Sequence, residues 1–178
     1  MTETATFAGG CFWCIEAAFE EVEGVESATS GYCGGDVDDP SYRAVCSGTT
    51  GHAEAVRVAY DPDAVRYEEL LEVFFAIHDP TTLDRQGPDV GEQYRSAVFY
   101  ESEAQREAVE RAVEELEESG AYDDPIVTEI APLDTFWEAE EKHQDYYAKH
   151  PERAYCRANV APKVEKVKSA FAELAGRE

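Results

Sequence analysis

The sequence predicts an α+β fold: a two-layer α/β sandwich with a mixed, mainly antiparallel sheet and an irregular C-terminal segment. Helical and alternating apolar patterns mix along the 178 residues without the regular strand–helix repeat of a parallel sheet. The length fits one domain over residues 1–178, with residues from about 149 to 178 as a tail that packs on it. A hydrophobic fraction of 43% is sufficient for a core.

The first third of the chain is predicted to form three strands and one helix. Residues 4–8 form a strand that runs into the Gly9-Gly10 turn. Residues 12–22 follow with apolar side chains at helical spacing, which predicts a helix. Residues 25–32 form the second strand, and residues 54–60 alternate apolar and polar side chains as a third strand.

The middle of the chain contains two predicted helices on either side of a long loop and a strand. Apolar residues at 70–77 mark a helix that ends before Asp79-Pro80. Residues 81–93 form a polar loop, and a loop of this length in a compact domain is often functional. Residues 94–100 form a strand, and residues 102–119 a strongly charged helix.

The last third of the chain gives weaker signals. Pro125 precedes a predicted strand at residues 126–131. A helix is predicted at residues 136–148, a loop at 150–159 and a final helix at 164–174.

The charge balance is extreme, with 15 Lys and Arg against 39 Asp and Glu, a formal net charge of -24 and a pI near 4.3. Such a surface repels phosphates and anionic lipid, so nucleic acid and membranes are excluded as partners. Self-repulsion at this density destabilises the folded state unless salt screens it, and we therefore hypothesise a salt-rich cytoplasm. An ordinary acidic protein is the alternative.

All five lysines lie at or after Lys142. A helix with mixed charges explains this distribution, and a docking patch for an acidic partner is the alternative.

The N-terminal residues lack the basic and apolar regions of a signal peptide, and no stretch has the ~18–20 apolar residues of a membrane helix. We expect a soluble cytoplasmic protein and, by default, a monomer.

Five cysteines are distributed as Cys11, Cys14, Cys33, Cys46 and Cys156. Cytosolic reductants keep thiols reduced, and the count is odd, so a static disulfide framework is not expected. Thiol chemistry and metal binding remain as the functional interpretations.

Cys11 follows a strand and two glycines and precedes a helix, which is the most informative arrangement in the sequence. A helix N-terminus favours an anion, so we expect a lowered pKa and a nucleophilic thiolate at Cys11. Cys14 completes a C-x-x-C unit and is a plausible resolving thiol. The same unit is half of a zinc site, but no second half-site has matching spacing. A structural buried cysteine is the remaining alternative.

The segment Gly9–Trp13 closely resembles the signature of class A methionine sulfoxide reductases, and further blocks follow in order. These blocks are Ser30-Gly31-Tyr32 with Gly34-Gly35, the segment Cys46–Val56, His78–Thr82, and Arg85-Gln86-Gly87 with Asp89, Gly91 and Gln93–Ser96. Tyr155-Cys156 and Pro162-Lys163 extend a weaker likeness toward the C-terminus. The resemblance covers nearly the whole chain.

The resemblance implies that Cys11 attacks the sulfur of methionine S-sulfoxide and becomes a sulfenic acid. It implies that Glu54 is the acid for the leaving oxygen and that Tyr32 and Tyr94 are hydroxyl donors. Asp89 would hold the polar site through hydrogen bonds. Glu54 has a structural alternative as a solvated carboxylate, the two tyrosines as half-buried strand residues and Trp13 as a core residue.

Phe12 and Trp13 would form the apolar pocket for the S-methyl group, since thioethers pack well against aromatic rings. Apolar rings beside a carboxyl group raise its pKa, which a general acid near neutral pH needs. His52 and His78 are expected to be structural turn or core histidines.

A second thiol then condenses with the sulfenic acid, and a thioredoxin-like dithiol reduces the disulfide. Many family members resolve through C-terminal cysteines and carry glycine at the position of Cys14. We favour Cys14 because it is local, followed by Cys156 and then by Cys33 and Cys46. No metal, flavin or nucleotide cofactor is implied.

Two other classes remain open from the sequence. A general thioredoxin-type dithiol–disulfide oxidoreductase has a C-x-x-C unit, but it would carry a tryptophan before the first cysteine rather than at Trp13. A zinc-binding interaction module is the other alternative.

Overall fold

The computed structural model describes residues 2–170, and these form the α+β sandwich that the sequence predicts. The strands are β1 (Glu3–Gly9), β2 (Val25–Cys33), β3 (Ala53–Tyr60), β4 (Arg85–Gln86), β5 (Asp89–Val90), β6 (Ser96–Tyr100), β7 (Glu129–Pro132) and β8 (Trp137–Glu138). The helices are α1 (Phe12–Glu20), α2 (Tyr42–Cys46), α3 (Tyr67–Ala76), α4 (Glu103–Ser119), α5 (Tyr146–Lys149) and α6 (Ala161–Ala170). The predicted fold class is confirmed.

Six strands form one sheet in the order β7-β6-β1-β3-β2-β8, and β4 and β5 form a separate hairpin. Every pair in the large sheet is antiparallel except β6 with β7, so the sheet is mixed. Because β1 and β3 run in opposite directions, the end of β1 lies beside the start of β3. The topology therefore brings Cys11, after β1, to the same end of the sheet as Glu54, at the start of β3.

The main core lies between one face of the sheet and the helices. Phe7 of β1 stacks between Phe19 of α1 and Phe74 of α3, with ring centroids 5.0 and 5.1 Å away. The opposite face of the sheet is lined mainly by small side chains and is covered by the segment around Phe136. Aromatic packing thus fixes α1, and with it the turn that carries Cys11, against the sheet.

The two ends of helix α4 are determined by the residues next to them in the sequence. The Ser102 side chain accepts a hydrogen bond from the Gln105 N–H at 3.2 Å, which caps the helix start. Gly120 follows the last turn with φ +74°, a conformation that glycine adopts without strain. The helix predicted at residues 102–119 is confirmed.

The helix predicted at residues 136–148 is wrong. The chain instead forms β8, a 3₁₀ turn at Glu141–His143 and the short helix α5. Trp137 pairs with Tyr32 at the edge of the sheet, and a side chain at Gly31 would overlap the Phe136 ring. Edge-strand pairing therefore overrides the helical spacing of the apolar residues.

Other boundaries differ from the prediction in smaller ways. Strand β6 begins after Tyr94, which lies in a 3₁₀ turn, and β7 begins at Glu129 rather than at residue 126. The loop predicted at 150–159 contains a π-helical turn, Cys156–Val160, that continues into α6. The final helix covers part of the predicted range, and residues 171–174 lie outside the described residues.

Within residues 2–170, none of the helices combines the length and the apolar character that a membrane span requires.

Candidate active site

Cys11 lies between β1 and α1, in the turn that Gly9 and Gly10 form. Gly10 has φ +100°, and a side chain there would overlap Gln86, so this turn requires glycine. Cys11 is the N-cap residue of α1 and is only 7% exposed. Its carbonyl accepts a hydrogen bond from the Cys14 N–H at 3.1 Å. The structure therefore places Cys11 at the strand–helix junction that the sequence indicates.

The expected lowering of the Cys11 pKa is wrong. Burial raises the pKa of the Cys11 thiol well above its usual range, and Cys14 and Glu54 raise it further. The backbone N–H of Trp13 favours the thiolate, as a helix N-terminus should, but its effect is smaller. The pKa of Cys14 is lowered chiefly by its hydrogen bond with Cys11. Between the two sulfurs, the proton is therefore held on Cys11.

Glu54 is buried beside this thiol, at 1% exposure. Its Oε1 accepts a hydrogen bond from the Phe12 N–H at 3.1 Å, whereas its Oε2 has no partner among the described residues. Burial raises the pKa of Glu54 to about 8, and the charge of Asp89 adds to this effect. At neutral pH the carboxyl group is therefore protonated. Because Oε1 is an acceptor, the proton belongs on the unpartnered Oε2.

The two tyrosines that the resemblance selects both lie near Glu54. Tyr32 is opposite Glu54 in the β2–β3 register, and its hydroxyl donates to Glu140 Oε1 at 3.0 Å. Tyr94 is half-buried, and burial raises its pKa, with Glu54 as the next largest cause. Both side chains are therefore neutral phenols that can donate a hydrogen bond at physiological pH.

Asp89 lies in β5 and accepts a hydrogen bond from the Tyr155 hydroxyl at 2.5 Å. Burial raises the pKa of Tyr155, and the charges of Cys11 and Cys14 raise it further, so its ring lies close to both thiols. Asp89 thus ties the C-terminal segment to the thiol site. The sequence did not assign Tyr155 to the site, although its position beside Cys156 was a signal.

Phe12 and Trp13 form two different parts of an aromatic region. Phe12 is fully buried, with the Tyr32 ring 5.6 Å from its own centroid. Trp13 is half-buried and stacks on Tyr146 at 3.7 Å with an interplanar angle of 7°. Phe12 therefore forms the floor of the region, and Trp13 forms a wall that α5 supports.

His143 is a site residue that the sequence did not predict, because it lay inside the wrongly predicted helix. Its ring centroid is 4.2 Å from that of Tyr42, and it also contacts Phe12 and Trp13. Trp13 Nε1–H donates to His143 Nδ1 at 3.3 Å, which leaves the imidazole proton on Nε2. Burial lowers the pKa of His143, so the ring is neutral. Its Nε2 is buried and has no partner among the described residues.

The cysteines separate into different environments. Cys11, Cys14 and Cys156 belong to one buried cluster with Val160 and Val164, and all five thiols are free. Cys14 Sγ donates to the Asn159 carbonyl at 3.6 Å, within the segment that carries Cys156.

Cys33 is buried in the cluster on the far face of the sheet, where burial raises its pKa to about 12. Cys46 lies at the end of α2, beside Tyr42 and Tyr94. Cys14 and Cys156 are thus the thiols that share a cluster with Cys11.

The two histidines expected to be structural are buried and fully bonded. His78 Nδ1 contacts the Phe74 carbonyl at 2.6 Å, and its Nε2 contacts Ser96 Oγ at 2.8 Å. His52 Nδ1 accepts from the Gly35 N–H at 3.0 Å and contacts the Val37 carbonyl through Nε2 at 2.6 Å. The prediction that both histidines are structural is confirmed.

A free thiol pair, a buried protonated carboxyl group and an aromatic region on an α+β sandwich together define a cysteine-dependent oxidoreductase. The family model described as peptide methionine sulfoxide reductase matches residues 3–175. The chain belongs to the peptide methionine sulfoxide reductase family.

The chain is also similar in sequence and in structure to individual proteins of this family. A peptide methionine sulfoxide reductase MsrA of Natronomonas pharaonis, a halophile, is 64% identical over 173 residues, covering 97% of each chain. The reduced form of Mxr1 from Saccharomyces cerevisiae is 36% identical with a TM-score of 0.82, covering 89% of this chain and 91% of that one. Mxr1 in complex with Trx2 gives a TM-score of 0.58 at 26% identity, over 82% and 84% of the two chains.

Proposed function

We propose that this chain reduces the S epimer of methionine sulfoxide, free or in proteins, with Cys11 accepting the oxygen. The observation that carries this proposal is the buried Cys11 thiol beside a carboxyl group that keeps its proton at neutral pH. A sulfoxide oxygen that leaves sulfur must gain a proton, and Glu54 Oε2 carries one that no other described residue accepts.

In the first step the Cys11 sulfur attacks the sulfoxide sulfur while Glu54 protonates the oxygen. The thiol proton of Cys11 passes to the Glu54 carboxylate as it forms, so no net charge is left in the buried site. The hydroxyl group then moves from the substrate sulfur to the Cys11 sulfur, which breaks the S–O bond of the substrate and the S–S bond that the attack formed. The substrate sulfur gains two electrons, and the Cys11 sulfur loses two. The products are methionine and the Cys11 sulfenic acid.

Neutral tyrosines support this step. Tyr32 and Tyr94 donate hydrogen bonds to the oxygen as negative charge develops on it. This role requires the Tyr32 hydroxyl to leave Glu140 or to share its proton with the substrate. Asp89 holds Tyr155 next to the thiols.

The aromatic region receives the S-methyl group, with Phe12 below it and Trp13 beside it. The unpaired Nε2–H of His143 offers a donor to the substrate in the same region. A buried donor without a partner costs about 1–3 kcal/mol, so a polar ligand atom at this position is favourable.

In the second step the Cys14 thiol attacks the Cys11 sulfenic acid, which releases water and forms the Cys11–Cys14 disulfide. The position of Cys14 one helical turn after Cys11, with its N–H bonded to the Cys11 carbonyl at 3.1 Å, and its lowered pKa favour Cys14 as the resolving thiol. Cys156 is the second candidate because it belongs to the same cluster. A thioredoxin-like dithiol protein then reduces the disulfide, which agrees with the complex of Mxr1 with Trx2.

The proposal needs no metal, flavin or nucleotide, because thiols supply both electrons. We further propose that the protein is a cytoplasmic monomer and that one domain over residues 1–178 carries the activity.

Separate assays with S and R methionine sulfoxide peptides, dithiothreitol and high salt test the proposed function. We expect turnover of the S epimer alone, and no turnover in a Cys11→Ser variant. Cys33→Ser is the matched control, because Cys33 is buried in the other cluster, and it should retain the activity. Reduction of the R epimer, or activity that survives Cys11→Ser, would contradict the proposal.

A further inference from the structure

The cations of this acidic protein are concentrated in one segment. Residues 149–170 contain six Lys or Arg side chains and two glutamates, whereas the whole chain has a net charge of -24. The segment comprises α5's last residue, the π-helical turn and α6. It is therefore locally positive on a molecule that is negative overall.

Two of these cations form what we call the basic face: Arg153 and Arg157. Arg153 and Arg157 are exposed and one helical turn apart, with the Arg157 N–H bonded to the Arg153 carbonyl at 3.0 Å. Among the described residues, no carboxylate lies within 4.0 Å of either arginine. A protein with 39 acidic residues offers many partners, so cations that pair with none of those described are available to another molecule.

The segment that carries the basic face packs on the thiols that must be reduced after each turnover. Cys156 lies next to Arg157 and is fully buried, and Cys14 is 2% exposed beneath the same segment. Lys163 lies close enough to Cys14 for its charge to lower the Cys14 pKa. A macromolecule that binds the basic face is therefore positioned over the Cys11–Cys14 unit.

We propose that the basic face is the docking surface for the reducing partner, and that this partner is a dithiol protein with an acidic surface. The inference rests on the proposed function, which requires an external dithiol. Charge complementarity selects an acidic partner, because the basic face attracts it whereas the acidic surface that makes up most of this chain repels it. An acidic oxidised substrate protein is the other occupant that the test distinguishes, but the segment that carries the basic face packs directly on Cys14, the resolving thiol.

The test compares two charge reversals, Arg157→Glu and Arg111→Glu. Both arginines are exposed and both changes alter the net charge equally, but Arg111 lies on α4, away from the thiols. Turnover of S methionine sulfoxide is measured with a thioredoxin of net negative charge and, separately, with dithiothreitol. Binding of the same thioredoxin is measured by calorimetry, which requires no turnover.

We expect Arg157→Glu to lower kcat/KM for the acidic thioredoxin about fivefold, with a matching loss of affinity. Its rate with dithiothreitol should equal that of the unaltered protein, and Arg111→Glu should match the unaltered protein in every assay. Multi-molar KCl should reduce the effect of Arg157→Glu, because exposed ion pairs are screened.

The proposal would be overturned if Arg157→Glu left kcat/KM and affinity for the thioredoxin unchanged. It would also be overturned if Arg111→Glu lowered both quantities as much as Arg157→Glu does. A rise in KM for an acidic oxidised protein, without an effect on the reductant, would assign the face to the substrate and also overturn it. Absence of turnover with dithiothreitol in the unaltered protein would instead contradict the proposed function, while the calorimetry would still decide the docking surface.

Discussion

The protonation of Glu54 depends mainly on its burial, and the charge of Asp89 has a smaller effect on its pKa. Burial at 1% exposure is the main cause of its raised pKa, and the Phe12 N–H opposes this effect only in part. The same burial keeps the proton on Cys11. Both groups therefore enter the reaction neutral, and the site avoids an isolated buried charge.

The pH dependence of the sulfoxide reduction step should follow Glu54. Because the acid form is the active form, the rate of methionine formation should fall as the pH rises through about 8. Glu54→Gln should lower the rate roughly 10²–10⁴-fold, the usual contribution of a general acid, and remove this fall. Single-turnover formation of methionine across the pH range measures both effects.

Stability provides the control for this variant. The folded chain holds the Glu54 proton up to about pH 8, whereas an unfolded chain releases it near pH ~4.3. The contribution of Glu54 to the free energy of unfolding therefore falls as the pH rises between these values. Glu54→Gln should unfold no more easily than the unaltered protein at neutral pH. A strongly destabilised variant would mean that its inactivity comes from misfolding.

At the scale of elements, the β1–α1 turn is the feature that sets the position of the nucleophile. Its glycine at φ +100° packs against Gln86, whose side chain bonds to the Asp79 backbone at 2.8 and 2.9 Å. The polar loop before β6 thus packs against the β1–α1 turn and holds it in place.

Gly10→Ala should therefore destabilise the protein by about 1–3 kcal/mol and reduce the activity. The new Cβ would lie 2.9 Å from the Gln86 Cβ, in a backbone conformation that L residues rarely adopt. Gly48→Ala is the control, since Gly48 has φ +77° but nothing within 4 Å of a new Cβ. Denaturant unfolding measures the free energy of unfolding of the two variants. An equal decrease in both variants would show that the contact with Gln86 is unimportant.

Elements with a strong local pattern could be predicted from the sequence, and elements set by distant contacts could not. Helix α4 has its own caps, and the β1–α1 junction has its glycines. The segment around Trp137 has helical spacing but pairs with Tyr32, more than a hundred residues earlier in the chain. The position of His143 depends on that pairing, and so the sequence could not reveal its contact with Trp13.

Some features of the candidate site could likewise be predicted from the sequence, and others could not. Cys11, Glu54 and the tyrosines could be found from ordered motifs, and the antiparallel register of β1, β2 and β3 brings their elements together. The direction of the Cys11 pKa could not be predicted, because it depends on how deeply the thiol is buried, which a motif does not specify. Tyr155 reaches Asp89 only because the C-terminal segment folds back over α1.

At the scale of the whole molecule, the net charge of -24 opposes folding. The described ion pairs are few and mostly exposed, so they offset little of this repulsion. The identity to the relative from the halophile Natronomonas pharaonis fits a protein adapted to salt.

The free energy of unfolding should therefore rise as KCl increases from low to multi-molar concentration, because the Debye length falls to about 3 Å at 1 M salt. Thermal unfolding at several KCl concentrations measures this dependence. Neutral sucrose at matched water activity is the control for general exclusion effects. A stability that is independent of KCl would rule out adaptation to salt.

The proposed roles of Cys11 as oxygen acceptor and Cys14 as resolving thiol can be examined in a single turnover. Reduced protein reacts with one equivalent of an S methionine sulfoxide peptide, and mass spectrometry and thiol counting follow. We expect a Cys11–Cys14 disulfide in the unaltered protein and a sulfenic acid on Cys11 in Cys14→Ser, each with one methionine formed per chain. Methionine formed at the normal rate with the oxygen on another cysteine, or the same loss of two thiols in Cys14→Ser, would contradict these roles.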